Sequence, residues 1–188
     1  KKAVSLETKI NYVKACSIRD TINHDIQSAV KAVESSDVAI VFVGGSSARD
    51  FETQYIETGA AKVNTQTILS DMDCGEGFDR ATLKLLGKQN ELLQSIAKTG
   101  KPFIVVYIQG RPLNMNFSSE KANALLTAWY PGEEGGNAIA DILFGDYNPS
   151  GRLPISIPRS EGQLPIYYSK NNTKEYIDEK SGPLYTFG

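Results

Sequence analysis

Residues 38–45 read V-A-I-V-F-V-G-G. Six apolar residues run without alternation and stop at two glycines. A strand that shows one face to water alternates apolar with polar, whereas one buried on both faces of a parallel sheet is apolar throughout. The run is too short for a helix core and is rich in β-branched residues, which favours a strand. Reading outward, Ser36-Asp37 ends a segment at 24–35 in which Ile26, Ala29, Val30 and Val33 recur at helical spacing, with Asp20 as its expected cap. Before it, K-I-N-Y-V-K-A-C (9–16) alternates and predicts an edge or first strand.

The same unit recurs downstream. Leu85, Leu86, Leu92, Leu93 and Ile96 predict a helix over 85–98, stopped by T-G-K-P. F-I-V-V-Y-I (103–108) and A-L-L-T-A-W-Y (124–130) predict two more strands. Pro131-Gly132 turns the chain into a helix over 133–144, with Ala138, Ile139, Ile142 and Leu143 inward and Glu133 and Glu134 at its positive N-terminal end. A short strand at 153–157, flanked by Pro154 and Pro158, fits an edge. Strands alternating with helices predict a three-layer α/β/α sandwich. Its central sheet is expected to be mostly parallel, of about five to six strands with an antiparallel edge strand. The sandwich is expected over residues 1–159 and an extended tail over 160–188.

Composition narrows the function. The formal net charge is −2, which gives no electrostatic footprint for nucleic acid. No apolar run approaches the roughly 18–20 residues that span a membrane. Two cysteines, Cys16 and Cys74, are too few for a disulfide framework, and His24 is the only histidine. Neither a dinucleotide-binding glycine motif nor a phosphate-binding loop is present, and no Cys/His cluster suggests zinc. No cofactor and no metal are expected. N-F-S (116–118) and N-N-T (171–173) match the short glycosylation pattern.

In a parallel α/β sheet, ligands approach the carboxyl ends of the strands. The loops after Val43, Ile108 and Tyr130 therefore share one rim. The first of them is about 40 residues long, where connections commonly run about 4–6. It carries a weakly helical patch at 51–58 and the apolar anchors Phe51, Tyr55, Ile56, Ile68 and Leu69. It ends in D-M-D-C-G-E-G-F-D-R (71–80). Glycines on both sides of Glu76 allow the backbone unusual dihedrals and a close approach to a ligand. Asp71, Asp73 and Asp79 stand near it, and like charges raise a carboxyl pKa, as a general acid requires. Residue chemistry alone leaves G-E-G open between a proton-delivering loop and a turn with a solvated glutamate. Arg80 and Arg111 are open between lining a pocket and tying loops together. Asn114 and Asn116 suit sugar hydroxyls or turns, and Trp129 suits a sugar ring or the core.

Four stretches taken together resemble a known family. They are A-V-E-S-S-D-V-A-I-V-F-V-G-G, G-E-G-F-D-R-A-T-L-K-L-L-G-K-Q-N-E-L-L, G-K-P-F-I-V-V-Y-I-Q-G-R-P-L, and L-L-T-A-W-Y-P-G-E-E-G-G-N-A-I-A-D-I-L-F-G-D-Y-N-P-S-G-R-L-P-I-S-I-P. In order and spacing they resemble the C-terminal α/β sandwich domain of glycoside hydrolase family 3, over roughly residues 25–188. The resemblance implies a retaining, exo-acting β-glycosidase, a β-glucosidase first and a β-xylosidase next, acting on a β-linked oligosaccharide or glycoside. It implies Glu76 as acid/base, with Asp79 and Arg80 matching the family's D-R pair; Arg111 on the same rim is expected to support the site. It implies a partner too: the enzyme's own N-terminal TIM-like barrel, which supplies the aspartate nucleophile and is absent from this chain. The chain then reads as a fragment beginning inside the sandwich domain, inactive alone, from a periplasmic or secreted parent. Where relatives commonly have L-P-G-x-Q, this chain has L-L-G-K-Q (85–89). The other reading is a stand-alone, non-catalytic α/β module that binds carbohydrate or protein.

Overall fold

The structure, a computed structural model, describes residues 4–47, 55–60, 71–75, 79–169 and 175–188. Its centre is a three-stranded parallel sheet in the order β1-β2-β3, formed by β1 (Ala39–Gly44), β2 (Phe103–Ile108) and β3 (Ala124–Trp129). Ala39 lies opposite Phe103 and Gly44 opposite Ile108, so β1 and β2 run in register along their whole length. Four helices accompany the sheet: α1 (Ile26–Glu34), α2 (Gln89–Ala97), α3 (Asn116–Lys121) and α4 (Gly135–Phe144).

Both crossovers step the same way across the sheet. Right-handed connections therefore put α2 and α3 on the same face. The packing agrees. Ala39, Val41 and Val43 of β1 and Phe103, Val105 and Tyr107 of β2 form one buried cluster with Ile26, Ala29 and Val33 of α1 and Leu92, Leu93 and Ile96 of α2. On that face Tyr107 OH meets Ser118 Oγ of α3 at 3.0 Å. The α/β class with a parallel sheet and flanking helices follows from the three apolar runs.

Several boundaries differ from the expectation, each for a local reason. Residues 9–16 make no strand; Cys16 forms only a single bridge with His24. Tyr12 is exposed, so the alternation there has no sheet face behind it. Residues 153–157 likewise give one antiparallel bridge, Ile157 to Tyr185. With these two stretches out of the sheet, it has three strands among the described residues rather than five to six. The cap of α1 is Asp25, whose carboxylate accepts from Ser28 N; Asp20 instead closes its own turn by accepting from Ile22 N and Asn23 N. The second helix begins at Gln89, later than the apolar spacing suggested, and the residues before it run as a loop whose Leu85 still joins the core. Burial on both faces holds in the central strand, where Val105 and Val106 are both fully buried. It fails in the edge strand β1, where Phe42 is 56% exposed. Ala138, expected to face inward from α4, is exposed, and Ile139 carries the contact. Of the patch at 51–58, residues 51–54 lie outside the described residues, and 55–58 form no helix.

The tail is tied to the domain where it is described. Leu184 and Tyr185 pack against the core, and Ile157 N donates to Tyr185 O. Gln163, in a short 3-10 helix (Glu161–Gln163), accepts from Arg159 N and donates to Gly182 O.

Candidate functional site

Three parallel strands deliver three loops to one rim, and each loop grips the stretch 71–80. From the exit of β1, Ser46 N donates to Asp73 Oδ1 at 2.9 Å, and Asp73 N donates back to Ser46 O at 2.8 Å. From the exit of β2, Arg111 Nη1 pairs with Asp79 Oδ1 at 2.7 Å. From the exit of β3, Tyr130 OH lies 3.1 Å from Cys74 Sγ. The two sides of the segment 76–78 are thus each fastened to the sheet. Glu76 itself lies outside the described residues, as does Phe78.

Two glycines make these contacts possible. A Cβ on Gly45 would sit 2.4 Å from both carboxylate oxygens of Asp73. A Cβ on Gly110 would sit 2.5 Å from the ring of Tyr130. Tyr130 reaches that position because Trp129 takes φ of 52°, a left-handed conformation rare for a bulky residue, at an irregularity where Ile108 pairs with Trp129 after Tyr107 has paired with Thr127. Such a conformation costs of order 1–3 kcal/mol and persists where the surroundings determine it. Trp129 is half-buried against the core.

The aspartates are not a free negative cluster. Asp71 Oδ1 accepts from Ile18 N at 2.9 Å. Asp73 pairs with Arg80 Nη1 at 2.6 Å, with both side chains at most 4% exposed. Asp79 is held below the usual carboxylate range by its bond to Arg111 and by Arg80 N. Two of the aspartates expected to crowd Glu76 are therefore paired with arginines, Asp73 with Arg80 of the same stretch and Asp79 with the distant Arg111. Tyr130 is pushed up to about 12, first by desolvation and then by its bond to Cys74. Its ring is nevertheless 41% exposed on the rim.

Arg80 donates to Asp73 and to Lys84 O within the β1–α2 connection, whereas Arg111 ties the β2 loop to Asp79. Asn114 Nδ2 and Asn116 Nδ2 each donate to Arg159 O at 2.9 Å, which spends those amides on a loop junction. His24 is exposed beside the start of α1, and both cysteines are free. The second sequon, at 171–173, lies outside the described residues. Among the described residues, no three His, Cys, Asp or Glu side chains gather as metal ligands, and no helix is long and apolar enough to cross a membrane.

Sequence reasoning missed two supports. Gln89, fully enclosed at the start of α2, accepts from Gly44 N at 2.7 Å and donates to Gly44 O at 2.9 Å and to Ile18 O and Leu86 O at 3.2 Å. It is the glutamine of L-L-G-K-Q, and a polar residue amid that apolar helix pattern was the available signal. Glu161 accepts from Thr82 Oγ1 at 2.6 Å and from Leu83 N. It lies about 80 residues from them, and nothing local marks it.

Fold and rim together define an α/β sandwich domain that presents one built loop at the carboxyl ends of its strands. Comparison with known proteins narrows this. The chain matches the glycosyl hydrolase family 3 C-terminal domain over residues 2–188, and it belongs to that family. It is similar to a beta-xylosidase of Formosa agariphila, 39% identical over 100% of this chain and 24% of that protein. It is similar to a periplasmic beta-glucosidase of Salmonella typhimurium, 40% identical over 87% of this chain and 20% of that protein. Among solved structures, a beta-glucosidase from Erythrobacter marinus is 41% identical with a TM-score of 0.67 over 86% of this chain and 20% of that one. The beta-glucosidase from Listeria innocua in complex with gluconolactone is 28% identical with a TM-score of 0.71 over 90% of this chain and 22% of that one. The chain thus spans about a fifth to a quarter of the length of these relatives.

Proposed function

We propose that this domain supplies the acid/base glutamate, Glu76, of a retaining exo-acting β-glycosidase, a β-glucosidase first and a β-xylosidase next. The observation that carries this reading is the fastening of the 71–80 stretch by all three strand-end loops, through Ser46, Arg111 and Tyr130. In sequence, Glu76 falls between Cys74 and Asp79, the two fastened residues on either side of it. A retaining mechanism needs two carboxyl groups about 5–5.5 Å apart across the scissile bond. One attacks the anomeric carbon and the other protonates the departing oxygen, then deprotonates the water that releases the sugar. The nucleophile is proposed to be an aspartate of a TIM-like barrel in the same enzyme, and the substrate a β-linked oligosaccharide or glycoside. Asp79, Arg80 and Arg111 support the site in this reading, through the Arg80–Asp73 and Arg111–Asp79 pairs. The proposed division keeps residues 1–159 as the sandwich domain and 160–188 as a tail leading toward a following segment. The periplasmic relative supports a periplasmic or secreted location.

Two measurements test the division of labour. The 188-residue chain alone is expected to hydrolyse no aryl β-glucoside or β-xyloside. Steady turnover by it alone would contradict the proposal. In the enzyme carrying this domain, Glu76→Gln is expected to be rescued by azide on an activated substrate, giving a β-glycosyl azide. Wild-type turnover without azide in that variant would remove Glu76 from the role.

A further inference from the structure

We infer that Asp73, acting through Arg80 and Ser46, is a positioning residue for the acid/base; this rests on the reading of Glu76 given above. Asp73 is not placed like a solvated acidic-loop residue. Its side chain is 3% exposed, and its carboxylate is shared between two elements: Oδ1 takes Ser46 N from the β1 exit, and Oδ2 takes the Arg80 guanidinium. The pair therefore joins the residues before Glu76, the residues after it and the end of a central-sheet strand.

The energetics favour a positional role over a purely stabilising one. Desolvating two charges commonly costs as much as their attraction returns, so a buried pair is weak support for stability. Here the guanidinium is also incompletely satisfied, because Arg80 Nε is buried without a hydrogen-bond partner. A buried unsatisfied donor costs about 1–3 kcal/mol. What the pair supplies is geometry. It fixes at 2.6 Å Asp73 and Arg80, which flank Glu76 in sequence and lie seven residues apart. Gly45 leaves the room: a Cβ there would meet the Asp73 carboxylate at 2.4 Å. Proton transfer is sensitive to such placement, and a displacement of about 1 Å can cost on the order of a hundredfold in rate.

The test uses the full-length enzyme carrying this domain and compares kcat/KM for two glycosides of the same sugar. One has an activated aryl leaving group that departs without protonation; the other has an alkyl or sugar leaving group that requires it. Glu76→Gln is the reference. Asp73→Asn is expected to lower kcat/KM about 10–100-fold on the poor leaving group and less than about threefold on the activated one. Gly45→Ala keeps both charges but puts its Cβ 2.4 Å from the Asp73 carboxylate, so it is expected to show the same selective loss, with an unchanged far-ultraviolet circular dichroism spectrum as the check that the fold is kept. Equal losses on both substrates, or no loss in either variant, would overturn the inference while Glu76→Gln remains selective. If Glu76→Gln is itself unselective, the reading of Glu76 falls instead.

Discussion

Replacing Gln89 by leucine tests how the rim is held to the sheet. The side chain is 3% exposed and binds both the N–H and the C=O of Gly44, the last residue of β1 and the neighbour of Gly45 and Ser46. Leucine fills nearly the same volume but leaves those two backbone groups buried without partners. Each such group costs about 1–3 kcal/mol. Two give about 2–6 kcal/mol, and the added apolar burial of leucine returns about 1–2 kcal/mol of that. A net loss near 3 kcal/mol is expected. For a domain of this size, 1 kcal/mol moves Tm by roughly 2–4 °C, so Tm should fall by about 6–12 °C. Thermal unfolding followed by far-ultraviolet circular dichroism measures it, with urea unfolding as a check that the slope is unchanged. A fall of less than about 2 °C would refute the reasoning, because Gly44 would then have other partners.

The carboxylate of Glu161 is held below the usual range, first by Thr82 and then by Leu83 N. A depressed carboxyl adds stability above its unfolded pKa of about 4.3 and loses it as pH falls through the lower folded value. Glu161→Gln should therefore be less stable than the parent at pH 7, with the Tm gap closing as pH falls below about 4. Tyr107, pushed up to about 12 by burial, and Tyr130, also about 12, should give a late component in tyrosinate absorbance that Tyr107→Phe and Tyr130→Phe each reduce. Because their folded pKa values are raised, the stability they contribute is intact below about pH 10 and lost as pH rises toward 12. Absence of the late component would contradict the burial of Tyr107.

The central sheet was legible because β1, β2 and β3 are short apolar runs separated by helical spacing and glycine stops. That grammar reports burial, and burial is strongest in the middle of the sheet. It misled at 9–16, where alternation without a neighbouring strand looked like an edge. The nearby backbone is bound by Asp71, 53 residues away from Ile18. It missed α3, whose six residues N-F-S-S-E-K are too few to show a period. The rim was legible as a place, since parallel strands must end together. Its wiring was not. Arg111 and Asp79 are 32 residues apart, Cys74 and Tyr130 are 56 apart, and Glu161 and Thr82 are 79 apart. Local sequence showed four carboxylates in ten residues and suggested mutual repulsion. Only the fold shows that each of the three aspartates has a partner.

The central claim is that Glu76 provides the proton for a bond cleaved in the enzyme that carries this domain. Its most direct test is the dependence of kcat/KM on leaving-group pKa for wild type and Glu76→Gln across a series of aryl and alkyl β-glycosides. A general acid contributes about 10²–10⁴-fold where the leaving group needs protonation. The account predicts near-parity for the most acidic leaving groups and a deficit that widens toward that range for the least acidic. A deficit that is constant across the series, or none at all, would contradict it.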